Sequence, residues 1–139
     1  MFKKILVPLD GSKLAEGIVP RVEWLAKIHD AEVTLIRVAL AHVFPGADPI
    51  QHQVNVVREA EEYLAKIEEN LKKVGVRVNS VVRYGHDAQE IVDHARDRAF
   101  DLIAMSTHGR SGLAQFVLGS VANKIIHTAP VPILLCRVC

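Results

Sequence analysis

Residues Met105–His127 read MSTHGRSGLAQFVLGSVANKIIH. The stretch begins at the end of an apolar run, DLIAMS (Asp101–Ser106), and finishes in an amphipathic segment carrying Val121, Ile125 and Thr128 before Pro130. Between the two lie Gly109, Gly112 and Gly119, with His108, Arg110 and Ser111 among them. A strand, a glycine-rich connection and a helix is the reading that fits. Ser120 is a suitable N-cap for that helix, and Leu113–Leu118 reads as a short helical turn joining the two glycine clusters.

Working outward, four more apolar runs share the character of DLIAMS: KKILVPL, EVTLIRVAL, RVNSVVRY and VPILLCRV, all rich in residues that suit a pleated surface. Amphipathic stretches separate them. Leu14, Ile18, Val22, Leu25 and Ile28 recur at helical spacing, with Gly17 and Pro20 expected to kink or delay the start. Val57, Ala60, Leu64, Ile67, Leu71 and Val74 form a longer apolar stripe backed by charge, ending at Gly75, a residue suited to the left-handed position after a helix. Asp87 and Glu90 resemble a capping box ahead of Ile91, Val92 and Ala95. The connection Ala41–His52 (AHVFPGADPIQH) reads as a loop. Alternating strands and helices predict right-handed crossovers, a parallel sheet and helices on both of its faces. ILVPL and LIAM are apolar throughout and belong in the centre, whereas RVNSVVRY carries polar residues and belongs near an edge.

The chain of 139 residues fits one domain spanning 1–139; half of its residues are hydrophobic and 24% are charged. With 17 basic against 16 acidic side chains it lacks the field needed to neutralise a nucleic-acid backbone. No stretch approaches the ~20 apolar residues of a membrane span, nor does the N-terminus MFKKILVPLD look like a secretory signal, so a cytoplasmic location is expected. Cys136 and Cys139 are the only cysteines, and a strand would turn them to opposite faces with no second ligand pair to complete a metal site.

Ligands of open parallel sheets bind beyond the C-terminal strand ends, where the strand order reverses. PLDGS after the first strand and STHGRSG after the fourth would line that crevice. Gly109 and Gly112 let backbone N–H groups approach an anion, His108, Arg110 and Ser111 add donors, and Gly119–Ser120 opens a helix whose amide end favours phosphate. Asp10 suits ribose hydroxyls or a divalent cation near phosphates, and equally an Asx-type turn with Gly11 and Ser12. Neither G-x-x-x-x-G-K-[ST] nor G-x-G-x-x-G is present, no serine sits in G-x-S-x-G, and no H-E-x-x-H occurs. Of seven histidines only His108 lies in the proposed loop; His86 follows the third strand, and the others read as surface residues.

These blocks, KILVPLDGS, VTLIRV, YGHDAQEIV, STHGRSG, LGSVANKII and VPILL, taken in order, resemble the universal stress protein (UspA-like) family in its ATP-binding branch. That branch carries G-x2-G-x9-G-[ST] after the fourth strand, matched here by Gly109, Gly119 and Ser120, with Ser106 at the first glycine position. The resemblance implies a three-layer α/β sandwich, a five-stranded parallel sheet of order 3-2-1-4-5 in the Rossmann-like, adenine nucleotide alpha hydrolase-like class, that binds ATP or AMP, with Mg as a possible companion near Asp10. Adenine would lie against Pro8, Leu9 and Met105 and bond the backbone of Val38. Ribose would face Asp10, with Ser106 close to ribose or the α-phosphate; His108, Gly109, Gly119, Ser120 and Val121 would meet the phosphates, with Arg110 as an extra contact. The family order leaves the apolar fifth strand at an edge, which predicts a homodimer along it. A nucleotide-dependent stress-response or signalling module acting on an unknown protein partner is the function implied. The alternatives are a weak ATPase or nucleotidyl-transferring enzyme, and a dimeric adaptor without ligand.

Overall fold

The computed structural model describes residues 1–40, 45–107 and 118–137. Its strands are β1 (Lys4–Pro8), β2 (Glu32–Leu40), β3 (Arg77–Gly85), β4 (Leu102–Ser106) and β5 (Ile133–Cys136). Helices α1 (Val19–His29), α2 (Pro49–Lys73), α3 (Asp87–Asp97) and α4 (Ser120–Thr128) alternate with them, and a 3-10 turn at Ala15–Ile18 precedes α1. Every pairing is parallel, as the alternation of elements predicts, and the order is β3-β2-β1-β4-β5, as the family resemblance implies. β1 and β4 are neighbours, and the chain leaves them in opposite directions across the sheet.

Side-chain alternation divides the core in two. Ile5, Val7, Val33, Leu35, Leu102 and Ala104 pack with Ile18, Val22, Leu64 and Leu71 beneath α1 and α2. Leu6, Ile36, Ile103 and Met105 pack on the other face with Ile91, Val92, Ala122 and Ile125 of α3 and α4. The central strands are buried on both sides, β4 entirely and β1 from Ile5 onward, which is why they carry unbroken apolar runs. On β3 only Val78 is buried, consistent with its edge position.

Several local expectations are corrected. The loop read as Ala41–His52 is shorter, because α2 already begins at Pro49. Asp48 has extended backbone and its carboxylate accepts from Ile50 N (3.0 Å) and Gln51 N (3.4 Å), while Pro49 fills a position whose N–H would have no intrahelical partner. Residues 41–44 lie outside the described residues. The delay at the first helix takes the form of the 3-10 turn, with Pro20 in the first turn of α1. Ile28 and Val74 are exposed and lie outside the apolar faces: Ile28 is turned to solvent, and Val74 stands after the end of α2, just ahead of Gly75 at φ +89°. The capping box does not form. His86 is the N-cap residue, Asp87 is already helical and bonds Ala88 N, and Glu90 is taken by Arg83 Nε at 3.0 Å. The N-cap of α4 is Gly119, with Ser120 one residue inside, and Leu118 is not helical; 113–117 lie outside the described residues.

Two histidines depart from the surface reading. His52 is half-buried, and His94 is 7% exposed on the inner face of α3 beside the Phe100 ring. Burial first, then the Arg83 and Arg98 cations, lower the His94 pKa from its ordinary 6.5. A folded-state pKa below the unfolded value means the unfolded chain binds the proton more readily, so stability falls as pH drops below about 6.5. Thermal melts of the parent should therefore lose stability from pH 7 to pH 5, and His94→Gln should lose less over the same interval. Equal slopes for the two proteins would show that His94 does not set the acid response.

Candidate nucleotide site at the strand ends

The C-terminal ends of β1, β2 and β4 frame a cavity of about 530 Å³, closed on its flanks by α2, α3 and the start of α4. Its volume lies in the range of small-molecule sites, roughly 300–1,000 Å³. The position is where the strand order reverses, and the local backbone explains why space is left there. β1 stops at Pro8. Asp10 then folds the chain back, its Oδ1 accepting from Ser12 N (2.9 Å) and Ser12 Oγ (2.6 Å), with Gly11 supplying the left-handed φ of +91°. Ser12 Oγ in turn accepts from Ala15 N at 3.1 Å, starting the 3-10 turn. Asp10 thus holds the turn and lines the cavity at once.

At the end of β4, Ser106 Oγ donates to Ala15 O at 3.1 Å, so its buried side chain ties β4 to the 3-10 turn. Thr107 N donates to Cys136 O (2.9 Å), and Gly119 N donates to Thr107 O (2.8 Å), which fixes the first residue ahead of α4 beside the end of β4. The first helical bond is Asn123 N to Gly119 O at 2.9 Å. The N–H groups of Ser120, Val121 and Ala122 consequently have no acceptor within α4, and all three residues line the cavity. The positive end of the helix dipole coincides with them.

Pro8, Leu9, Asp10, Val38, Met105, Ser106, Gly119, Ser120 and Val121 are brought together around this one cavity. His108, Gly109 and Arg110 lie outside the described residues, as do Ser111, Gly112 and Cys139. His86 is not among the lining residues. No cluster of three or more histidine, cysteine or acidic side chains able to hold a metal occurs among the described residues.

The lining side chains that the sequence reading missed include the charged or titratable Arg37, His52, Glu59 and Asp87. Arg37 interrupts the apolar run VTLIRVAL, and that interruption was the available signal. It is 8% exposed, its guanidinium sits 5.0 Å above the Tyr63 ring, and Nη2 is 3.6 Å from Glu59 Oε1. Tyr63 O–H donates to Glu16 Oε2 at 2.9 Å. Burial, followed by that bond and the charges of Glu16 and Asp10, raises the Tyr63 pKa against the opposing effect of Arg37, so the phenol stays neutral and donating. His52 Nε2 is buried with no hydrogen-bond partner.

A sequence profile described as the universal stress protein family matches residues 1–137. The chain is 33% identical over 142 residues to universal stress protein MJ0531 of Methanocaldococcus jannaschii, covering 99% of this chain and 83% of that protein. It superposes on the solved structure of MJ0577 with a TM-score of 0.90 at 30% identity, covering 99% and 96% of the two chains. Two further solved structures share the fold at lower identity. One, a universal stress protein in complex with cAMP, has a TM-score of 0.66 at 22% identity and covers 99% and 98%. The other, from Archaeoglobus fulgidus in complex with dAMP, has a TM-score of 0.72 at 20% identity and covers 96% and 97%.

Proposed function

The chain belongs to the universal stress protein family, and from that premise we propose that it is a stress-response or signalling module whose strand-end cavity binds ATP or AMP. One observation carries the reading: three amides at the start of α4, unpartnered within the helix, and the Asp10 turn line the same cavity at the switch point. Phosphates would take the amides of Ser120 and Val121, completed by His108, Gly109 and Arg110. Ribose would face Asp10, and adenine would rest on Pro8, Leu9 and Met105 with the Val38 backbone as its hydrogen-bonding edge. Mg would accompany the phosphates of ATP. Structural relatives with cAMP and dAMP bound support the ligand class.

We take a binding module over a weak ATPase because Ser106, a hydroxyl among the described lining residues, is committed to the backbone and not to a general base. Ser106 Oγ is already donated to Ala15 O. Mass spectrometry of small molecules released from freshly purified protein should detect an adenine nucleotide, and calorimetric titration with ATP and AMP should saturate at one site per chain. A blank in both would favour the ligand-free adaptor. Steady turnover of ATP with magnesium would favour the enzyme.

The same reading takes β5 as the contact to a second copy. It is the edge strand beyond β4, with half-buried side chains from Ile133 to Cys136. An unpaired edge of that composition offers its backbone to another chain.

A further inference from the structure

We propose that Arg37 forms a second anion subsite in the strand-end cavity, one that receives a phosphate carried on the 2′ or 3′ oxygen of the ribose of a bound adenylate. The inference deepens the nucleotide reading above and rests on it.

The argument begins with an unbalanced side chain. A guanidinium has five N–H donors, and burying it without partners is costly. Among the described residues the Arg37 fork donates no hydrogen bond. Its contacts are the face of Tyr63 at 5.0 Å and the Glu59 carboxylate at 3.6 Å, a separation beyond hydrogen-bond range. The Glu59 side chain is 72% exposed against 10% for Arg37, so the acid is free to swing into solvent and leave its place to an incoming anion. The other two carboxylates nearby are engaged. Glu16 accepts from Tyr63 and lies 3.8 Å from Lys13, and Asp10 accepts twice from Ser12.

Position decides which phosphate fits. Arg37 follows Ile36, which packs under α3 and α4, so alternation turns its own side chain to the α1 and α2 face, against Tyr63 of α2. The amides of Ser120 and Val121 belong to the opposite layer, where Val121 packs with the α3 and α4 core. The two anion-attracting features thus sit on opposite faces of the sheet, with the ends of β1 and β2 between them. A 5′-phosphate chain seated on α4 runs away from Arg37. The hydroxyl edge of a ribose facing Asp10 runs toward it, since Gly11, the next residue, lies against the guanidinium: a Cβ built there would come within 3.2 Å of three of its atoms. A planar fork matches a phosphate dianion through paired, charge-assisted bonds.

The experiment is calorimetric titration of the parent and Arg37→Met with AMP, ATP, adenosine 3′,5′-bisphosphate and adenosine 2′,5′-bisphosphate. In the parent, one of the two bisphosphates should bind at least about tenfold more tightly than AMP, and the ratio should collapse toward one in Arg37→Met. Arg37→Lys, which keeps the charge without the fork, should give an intermediate ratio. If AMP binds and both bisphosphates bind the parent no better than AMP, the subsite is refuted while the nucleotide reading stands. A bisphosphate preference that survives in Arg37→Met refutes it too. If Arg37→Met selectively weakens ATP relative to AMP, the guanidinium serves the 5′-phosphate chain and the assignment is overturned. Failure of all four ligands to bind the parent removes the nucleotide reading and this one together. Should the methionine variant fail to fold, Arg37→Lys decides: a bisphosphate-to-AMP ratio reduced from that of the parent upholds the subsite, and an unchanged ratio refutes it.

Discussion

Gly119→Val is expected to lower affinity for ATP by about 100-fold or more while shifting the melting temperature by no more than a few degrees. The backbone there has φ −60° and ψ 153°, an extended conformation that valine adopts without strain. Gly119 makes no side-chain capping bond, so the helix start loses little, on the order of 1 kcal/mol at most. The bond from its N–H to Thr107 O belongs to the main chain and survives the substitution. In the proposed site a branched Cβ at Gly119 would stand where a phosphate approaches the Ser120 and Val121 amides and would keep it from reaching both donors. Each charge-assisted bond lost is worth about 1.5–3 kcal/mol, and two suffice for the expected effect. Gly119→Ala, adding one methyl, should fall between. Calorimetric titration with ATP and a circular-dichroism melt on the same preparations give both halves of the result. Parental affinity in the valine variant would place the phosphates elsewhere.

The architecture was legible because burial on two faces writes itself into composition. Leu6 and Ile103 face one helical layer while Val7 and Ala104 face the other, and no polar residue is tolerated among them. Reading the crevice from the strand ends reached PLDGS, STHGRSG and the Gly119–Ser120 helix start, whereas Val38, Met105 and Val121 came from the family resemblance; nine of the expected residues line the one cavity. Failures came where a side chain's partner lies far along the chain. Arg37 makes sense only with Tyr63 and Glu59 of α2 beside it, and a charged residue within one strand says nothing of a helix that has yet to fold over it. Glu90 spells a capping box with Asp87 in the local sequence, yet Arg83 on β3 competes for the same carboxylate and wins at 3.0 Å. Asp48 and Pro49 are the opposite case. Their cap signature is local and readable, and it was hidden by the glycine and prolines that made the whole stretch look like a loop.

Leu64→Ala should cost about 3 kcal/mol, within the 2–5 kcal/mol span of such truncations, and lower the melting temperature by roughly 10 °C. The size of the effect follows from how α2 is fastened. Of its residues Pro49–Lys73, only Ala60, Leu64 and Leu71 are buried, and none lies in the first three turns. There the helix overhangs the cavity, with His52, Val56 and Glu59 lining it, so the space that a core would fill is the space proposed for the nucleotide. Leu64, with no exposed surface, therefore anchors the helix to the face that holds Val33 and Leu35. Ile50, 76% exposed at the overhanging end, makes the control: Ile50→Ser should change stability by no more than about 0.5 kcal/mol. Saturating ATP should raise the melting temperature of Leu64→Ala, since a ligand that binds only the folded chain stabilises it by mass action and here also supplies packing beneath the first turns of α2. Hydrogen exchange would read the two ends separately. Truncation at Leu64 should speed exchange along the whole of α2, whereas nucleotide should protect residues 52–59 more than residues 66–73. Equal protection of both ends would mean that the ligand stabilises the fold without filling the space under the overhang.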